Sequence, residues 1–420
     1  MLARFRLLPI FVVLLLTAYS NLELFAQQNW PGFHGPSADC WSESDSAAIE
    51  WSESENIVWK TAIHDFGWSS PVVWNDQIWM TTADLEGRSM SAVCVDRTSG
   101  EIVHDVDLFS DQEPTDTLLI NSYASPTPCI EEGRVYVHFG TYGTACLDTV
   151  TADVVWQRVD LNCDHLRGPG SSPVLDGELL YLTYDGADYQ FVVALDKRTG
   201  ETVWKTDRTT EFGEMDGDLR KAYCTPLMIE VEGERQLICV GAHAAYAYTP
   251  DTGEELWHIL FSGYSNASRP LFDGERIYIN TGFGRSQLWA VTPTGRGDVT
   301  DTHVLWKATR GILLKPTPVL VDGLIYMPCD DGILKVIDPE TGEIVFEERL
   351  KGKYSASPVV VDGLIYMPNE TGETFVVRPG EEPEILADNS LDEGCMASPA
   401  VVDGELYLRT RTHLYRIECP

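Results

Sequence analysis

The sequence predicts an all-β protein: an eight-bladed β-propeller of four-stranded antiparallel blades, closed by an N-terminal strand that completes the last blade. Three observations carry this expectation. The octapeptide VDGLIYMP stands at residues 321–328 and again at 361–368. Around it a common grammar recurs along nearly the whole chain. A Ser/Thr-Pro or near equivalent opens an apolar run, a turn pair follows, and an aromatic residue falls eight positions after the proline. Pro71 pairs in this way with Trp79, Pro173 with Tyr181, Pro270 with Tyr278, Pro318 with Tyr326, Pro358 with Tyr366 and Pro399 with Tyr407; stretched copies around Pro126 with Tyr136 and Pro226 with Ile238 bring the count to eight. The two chain ends are complementary, one lacking a strand that the other has to spare.

Each unit opens with a hairpin. Asp176-Gly177, Asp273-Gly274, Asp322-Gly323, Asp362-Gly363 and Asp403-Gly404 are turn dipeptides that accept positive φ, and β-branched or aromatic residues flank them. A third strand follows, as in FVVALD, ILKVID and ETFVVR, and a fourth often reads like TGETVWK. Trp59, Trp156, Trp204, Trp257 and Trp306 hold the late position of that fourth strand, with His104 and Phe346 in its place elsewhere. A large flat side chain repeated at one position suits the packing of adjacent sheets, so these tryptophans read as structural. After Pro399 there is room for three strands only, while residues 56–61, NIVWKT, look like a fourth strand with no preceding three. Joining them closes the ring and removes two exposed edges.

At 420 residues and 44% hydrophobic content the chain can bury a large core, and no long polar tract signals disorder. Arg4 and Arg6 precede an apolar run from Leu7 to Leu16, and Ala26 precedes Gln27. That order is the pattern of a cleaved secretory signal, with Ser20 as an alternative cut, and the run is short for a membrane span. The expected division is residues 1–26 as signal peptide, 27–55 as a lead-in arm and 56–420 as the propeller. A periplasmic or secreted location follows, with no stable membrane insertion after cleavage and no cysteine beside the cut to carry a lipid. Losing residues 1–26 removes two basic residues and one acidic residue, which moves the formal net charge from −35 to −36. Such a field argues against nucleic acid as a partner. The ten cysteines are widely spaced, without CxxC or adjacent pairs. Export permits disulfides, and apolar settings such as SAVCVD equally permit buried thiols.

The segments ALDKRTGETVWK (194–205), YTPDTGEELWH (248–258) and VIDPETGEIVFE (336–347) resemble the docking motif of the pyrroloquinoline-quinone (PQQ)-like repeat family of β-propellers, and NWPGFHGPSADCW (29–41) is similar to a lead-in found in exported members. The resemblance covers roughly residues 29–420. It implies one of two kinds of function: quinoprotein dehydrogenases that hold PQQ and calcium, or a cofactor-free scaffold of the outer-membrane β-barrel assembly machinery. This chain lacks the adjacent cysteines of many alcohol-oxidising members and the lipidated cysteine of the scaffold. HExxH, GxSxG and a Gly-rich phosphate loop are also missing, and EMDGDL (214–219) lacks the full acidic spacing of a calcium loop and reads as an exposed linker.

In a propeller the segments before each blade's first proline gather at one mouth of the central channel. Here they are basic and aromatic in an otherwise acidic chain. Trp68, Tyr123, Tyr223 and Tyr354 lie three or four residues before their prolines, and Arg167, Lys221, Arg269, Lys315 and Lys353 lie within six. These nine are candidate ligand-binding residues, suited to an anionic or sugar-like group, though the same residues also serve to neutralise carboxylates and fill loops. The expected function is an exported, non-catalytic binding or scaffold module of the bacterial envelope for a protein or polysaccharide ligand. It would be monomeric, with no cofactor, catalytic residue or metal ligand. The alternatives are a PQQ- and calcium-dependent alcohol or sugar dehydrogenase with degenerate motifs, and a polysaccharide hydrolase or lyase.

Overall fold

The computed structural model describes residues 28–418 except 111, 114–116 and 119; the expected signal segment and Cys419 lie outside the described residues. Eight antiparallel sheets form the eight blades. Their inner strands are Val72–Trp74, Cys129–Glu131, Val174–Asp176, Leu227–Val231, Leu271–Phe272, Val319–Val321, Val359–Val361 and Ala400–Val402, numbered here as blades 1 to 8. Blade 8 takes its outer strand, Ile57–Ala62, from the other end of the chain. That strand runs antiparallel to His413–Ile417, with Lys60 opposite Tyr415. Closure is reinforced across the seam with blade 1. Arg97 donates to Glu405 and Asp403, and Arg416 donates to the second oxygen of Glu405 and to the carbonyl of Arg97.

The proline-to-aromatic spacing has a direct structural cause. The residue after each proline pairs with the aromatic one, as in Val72 with Trp79, Val319 with Tyr326 and Ala400 with Tyr407. Blade 2 corrects the sequence reading. Its inner strand follows Thr127-Pro128, and Cys129 pairs with Tyr136, so the unit is regular and Pro126 belongs to the preceding loop. Only blade 4 is stretched, with Leu227 opposite Ile238 in a longer hairpin. The Asp-Gly turns also divide. In blades 6 to 8 both residues take positive φ, whereas at 176–177 and 273–274 only the glycine does.

The outer-strand tryptophans dock each blade on the next. The indole N–H of Trp59, Trp156, Trp204 and Trp306 donates to the carbonyl of Arg97, Lys197, Pro250 and Pro339, respectively. Each ring lies over the glycine of the neighbouring Thr/Ser-Gly turn. A Cβ on Gly253 would stand 2.3 Å from the Trp204 ring. Trp257 differs and donates to Gln236 in its own blade, which carries a fifth, two-residue strand, Gly297–Asp298.

A second seam runs around the channel. The backbone N–H of Ser70, Thr127, Ser172, Arg269, Thr317, Ser357 and Ser398 donates to the hydroxyl of Thr127, Ser172, Thr225, Thr317, Ser357, Ser398 and Ser70, at 2.9–3.0 Å. The hydroxyl before each inner-strand proline therefore latches its blade to the one before it. Blade 5 has Arg269 at this position. Its guanidinium spans the gap instead, donating twice to the carbonyl of Pro226 in blade 4.

Residues 28–44 close the channel below this ring by bonding to inner strands. Trp30 exchanges two backbone bonds with Val73, Ile130 donates to Pro31, and Val360 exchanges bonds with Cys40 and Ser42. The Trp41 indole reaches Leu320, the Ser42 hydroxyl reaches Val401, and Arg269 donates to Phe33. Among the described residues all nine cysteines are buried and unpaired, and no helix is long and apolar enough to cross a membrane.

Candidate functional site

A cavity of about 370 Å³ opens at the channel mouth. Its floor carries Ser70, Thr127, Ser172, Thr225, Ser357 and Ser398 of the latch ring, together with Phe33 from the lead-in. Phe33 and Thr225 also line a smaller cavity of about 140 Å³ that contains Arg269, so the lead-in separates the two spaces. Two inter-blade loops raise the walls. The loop from blade 1 to blade 2 contributes Leu118, Ile120, Asn121 and Ser125, and the loop from blade 3 to blade 4 contributes Asp218 and Lys221. Thr117 and Asn121 both donate to the carbonyl of Arg167, which ties the first loop to the stretch before blade 3.

Of the nine residues expected at this mouth, Trp68, Arg167, Lys221, Tyr223 and Lys315 line the cavity. The other four do not. Tyr123 packs in the core against Tyr142, under Gly87. Tyr354 is fully buried between blades 6 and 7. Lys353 is exposed and outside the lining, and its carbonyl accepts from the Glu370 N–H. Arg269 is a buried strut, and desolvation lowers its pKa to about 10 against the opposing pull of Cys224, Cys40 and Asp39. Its place could have been read from the sequence, because it precedes Pro270 where the other blades have Ser or Thr.

The cations that do face the cavity have carboxylate partners that sequence reasoning missed. Lys221 Nζ lies 3.1 Å from Asp218 and donates to Ser265 Oγ at 2.9 Å. Arg167 reaches the same Asp218 at 3.7 Å. Lys315 pairs with Glu370 at 2.9 Å and with Asp330 at 3.7 Å. Burial lowers the pKa of Lys221 despite Asp218, and burial raises that of Asp330 despite the Leu314 N–H and Lys315. The EMDGDL segment is thus a cavity wall: Asp216 caps a short turn, Gly217–Leu219, that presents Asp218. Tyr223 donates its hydroxyl to the carbonyl of Leu166, and Tyr264, Phe283 and Met396 complete the aromatic and apolar lining.

Compared with known proteins, the family model described as outer membrane protein assembly factor BamB matches residues 50–245 and 188–419. BamB of Alkalilimnicola ehrlichii is 26% identical over 192 residues, 44% of this chain and 44% of that protein, so the match spans under half of the relative's length. The crystal structure of BamB from Moraxella catarrhalis superimposes with a TM-score of 0.60 at 14% identity, covering 86% of this chain and 97% of that one. The quinohemoprotein alcohol dehydrogenase of Comamonas testosteroni gives 0.66 at 12% identity, covering 93% and 80%. At such identities the structural likeness shows the fold alone, which an assembly factor and a redox enzyme share. The family model, matched in two overlapping stretches from residue 50 to residue 419, shows that the chain belongs to the PQQ-like repeat β-propeller family, under the description outer membrane protein assembly factor BamB.

Proposed function

We propose that the protein is an exported, non-catalytic scaffold of the bacterial envelope that binds a partner protein of outer-membrane assembly through its channel-mouth face. The family match supports the class of function. The observation that carries the choice of face is the wall loop between blades 1 and 2, which holds Leu118 and Ile120 at 41% and 53% exposure beside the cavity. Exposed apolar groups rimmed by polar ones are the chemistry of a protein contact. The donor set fits calcium poorly. Among the described residues no three His, Cys, Asp or Glu side chains are grouped to hold a metal, and the cavity cations already face carboxylates.

The test compares two double variants in the native envelope. Leu118→Glu with Ile120→Glu should abolish co-purification of outer-membrane assembly proteins and lower outer-membrane protein levels. Val58→Glu with Val203→Glu, on outer strands, should leave both unchanged. Equal behaviour of the two folded variants would refute the assignment of this face.

A further inference from the structure

Two imidazoles lie buried side by side between blades 2 and 3. His138 ends the second strand of blade 2, Arg134–His138, and is 1% exposed; His165, in the segment leading to blade 3, is 6% exposed. Both rings pack on Tyr184, with centroids 5.4 and 5.9 Å from it. Cys163 Sγ lies 3.6 and 3.5 Å from Nδ1 and Nε2 of His165, and a Cβ on Gly140 would stand 2.5 Å from that Nε2. His138 Nδ1 meets the Thr144 hydroxyl at 2.8 Å. The carboxylates nearby are engaged elsewhere or exposed. Asp188 accepts the N–H of Asp164, whose own side chain is exposed, Asp185 holds Arg208, and Asp160 holds Arg158. Burial outweighs the pull of Asp188 and lowers the pKa of His165 to about 4; burial and repulsion from His165 lower that of His138 to about 3. Burial raises the pKa of Cys163 and Tyr184, so both stay neutral.

The wall of the channel mouth hangs on this pair. The His165 carbonyl accepts from the Gly168 N–H at 2.6 Å and closes a turn in which Arg167 takes φ +82. That turn presents the Arg167 carbonyl to Thr117 and Asn121, and the Leu166 carbonyl to the Tyr223 hydroxyl. Leu118 and Ile120 stand between the two anchors, Thr117 and Asn121. A ring seated against Gly140 and Tyr184 stays there only while neutral, because its packing withholds the water or carboxylate that an imidazolium needs. Once the segment lifts, the same ring takes up a proton at its ordinary value of about 6.5.

We propose that His138 and His165 form an acid-released latch: protonation frees the turn at residues 165–168 from its seat on Gly140 and Tyr184, and the stretch from Thr117 to Asn121 loses its anchor. From pH 7 to pH 5 the open form gains about 20-fold if one ring leaves burial and about 500-fold if both do. Above pH 7 both rings are neutral in either form, and the latch is whole. Weaker partner docking in acid is the consequence for the face that carries Leu118 and Ile120, and only that consequence rests on the docking reading.

Hydrogen exchange of the purified chain at pH 7, 6, 5 and 4, corrected for the intrinsic pH dependence of exchange, tests the latch with no partner present. Its failure therefore leaves the docking reading untouched. Protection of the Gly168 amide should fall about 20-fold or more between pH 7 and pH 5, while the latched amides of Thr317 and Ser357 in blades 6 and 7 keep theirs. With His138→Gln and His165→Gln combined, the fall at Gly168 over that range should vanish, whatever protection the variant starts from. A fall at Gly168 no larger than at Thr317 and Ser357, or the same fall in the double variant, overturns the latch. A fall that begins only below pH 5 assigns the effect to Asp164 and Asp188 and overturns the role of the imidazoles. If the double variant does not fold, the comparison of Gly168 with Thr317 and Ser357 in the unaltered chain decides.

Discussion

Replacing Thr127 with valine would test the latch ring at a single bond. The change keeps the side-chain shape and removes the acceptor of the Ser70 N–H, which it now holds at 2.9 Å. Ser70 and Thr127 are 2% and 1% exposed, so solvent does not substitute. A buried N–H left without a partner costs about 1–3 kcal/mol, and the added methyl returns less than about 1 kcal/mol, so a net loss of about 1–2 kcal/mol is expected. Urea unfolding followed by tryptophan fluorescence measures it, with Thr98→Val, an exposed turn position, as the control. Hydrogen exchange at the Ser70 amide gives a local readout and should lose protection while the other latched amides keep theirs. A variant within about 0.5 kcal/mol of the control, with the Ser70 amide as protected as before, would refute the latch.

Arg269→Met removes three hydrogen bonds that join blade 5 to Pro226 and Phe33, so cleavage by added protease within residues 28–44 should rise sharply while the other blades stay protected. Gly253→Ala places a Cβ 2.3 Å from the Trp204 ring at φ +70 and should cost about 2–4 kcal/mol by urea unfolding, against about 1–2 for Gly274→Ala, where φ is +97 and nothing stands within 4 Å. Stability should also fall with acid. Burial lowers the pKa of His34 well below its usual range, of His138 to about 3 and of His165 to about 4. The unfolded chain takes up these protons as pH drops through about 6.5 and the folded chain does not, so their contribution is whole above that pH and shrinks below it, by about 1.4 kcal/mol per pH unit each. His64 works in the opposite sense, because burial lowers its pKa but Asp65 and Asp105 outweigh it and raise it. Urea midpoints at pH 7, 6 and 5 should show a net loss near pH 5, and His138→Gln should remove about one proton's share of the slope.

Strand pairing within a hairpin is a relation between near neighbours, so a proline-to-aromatic spacing of eight was legible as register wherever it occurred, and blade 2 conforms once Pro128 replaces Pro126. Closure was legible for a related reason. Two fragments, each short of a complete blade, have complementary patterns, and Lys60 meets Tyr415 as that complement requires. The tryptophans were legible as packing residues from their repetition, though the glycines beneath them and the carbonyls they reach lie on the next blade. The Ser or Thr before each proline was visible only as punctuation, because its acceptor role joins residues 40 to 57 positions apart, and 328 apart where the ring closes. The channel-mouth loops do not repeat, so no period told which side Tyr123 or Tyr354 would face, and both turned into the core while Lys221 found Asp218. The sequence by itself determined the blades, their number and their order, since these follow from local hydrogen-bond register repeated along the chain. Only the tertiary structure decided which side chains share the cavity and what partners they hold, because those directions are set by contacts between blades distant in sequence.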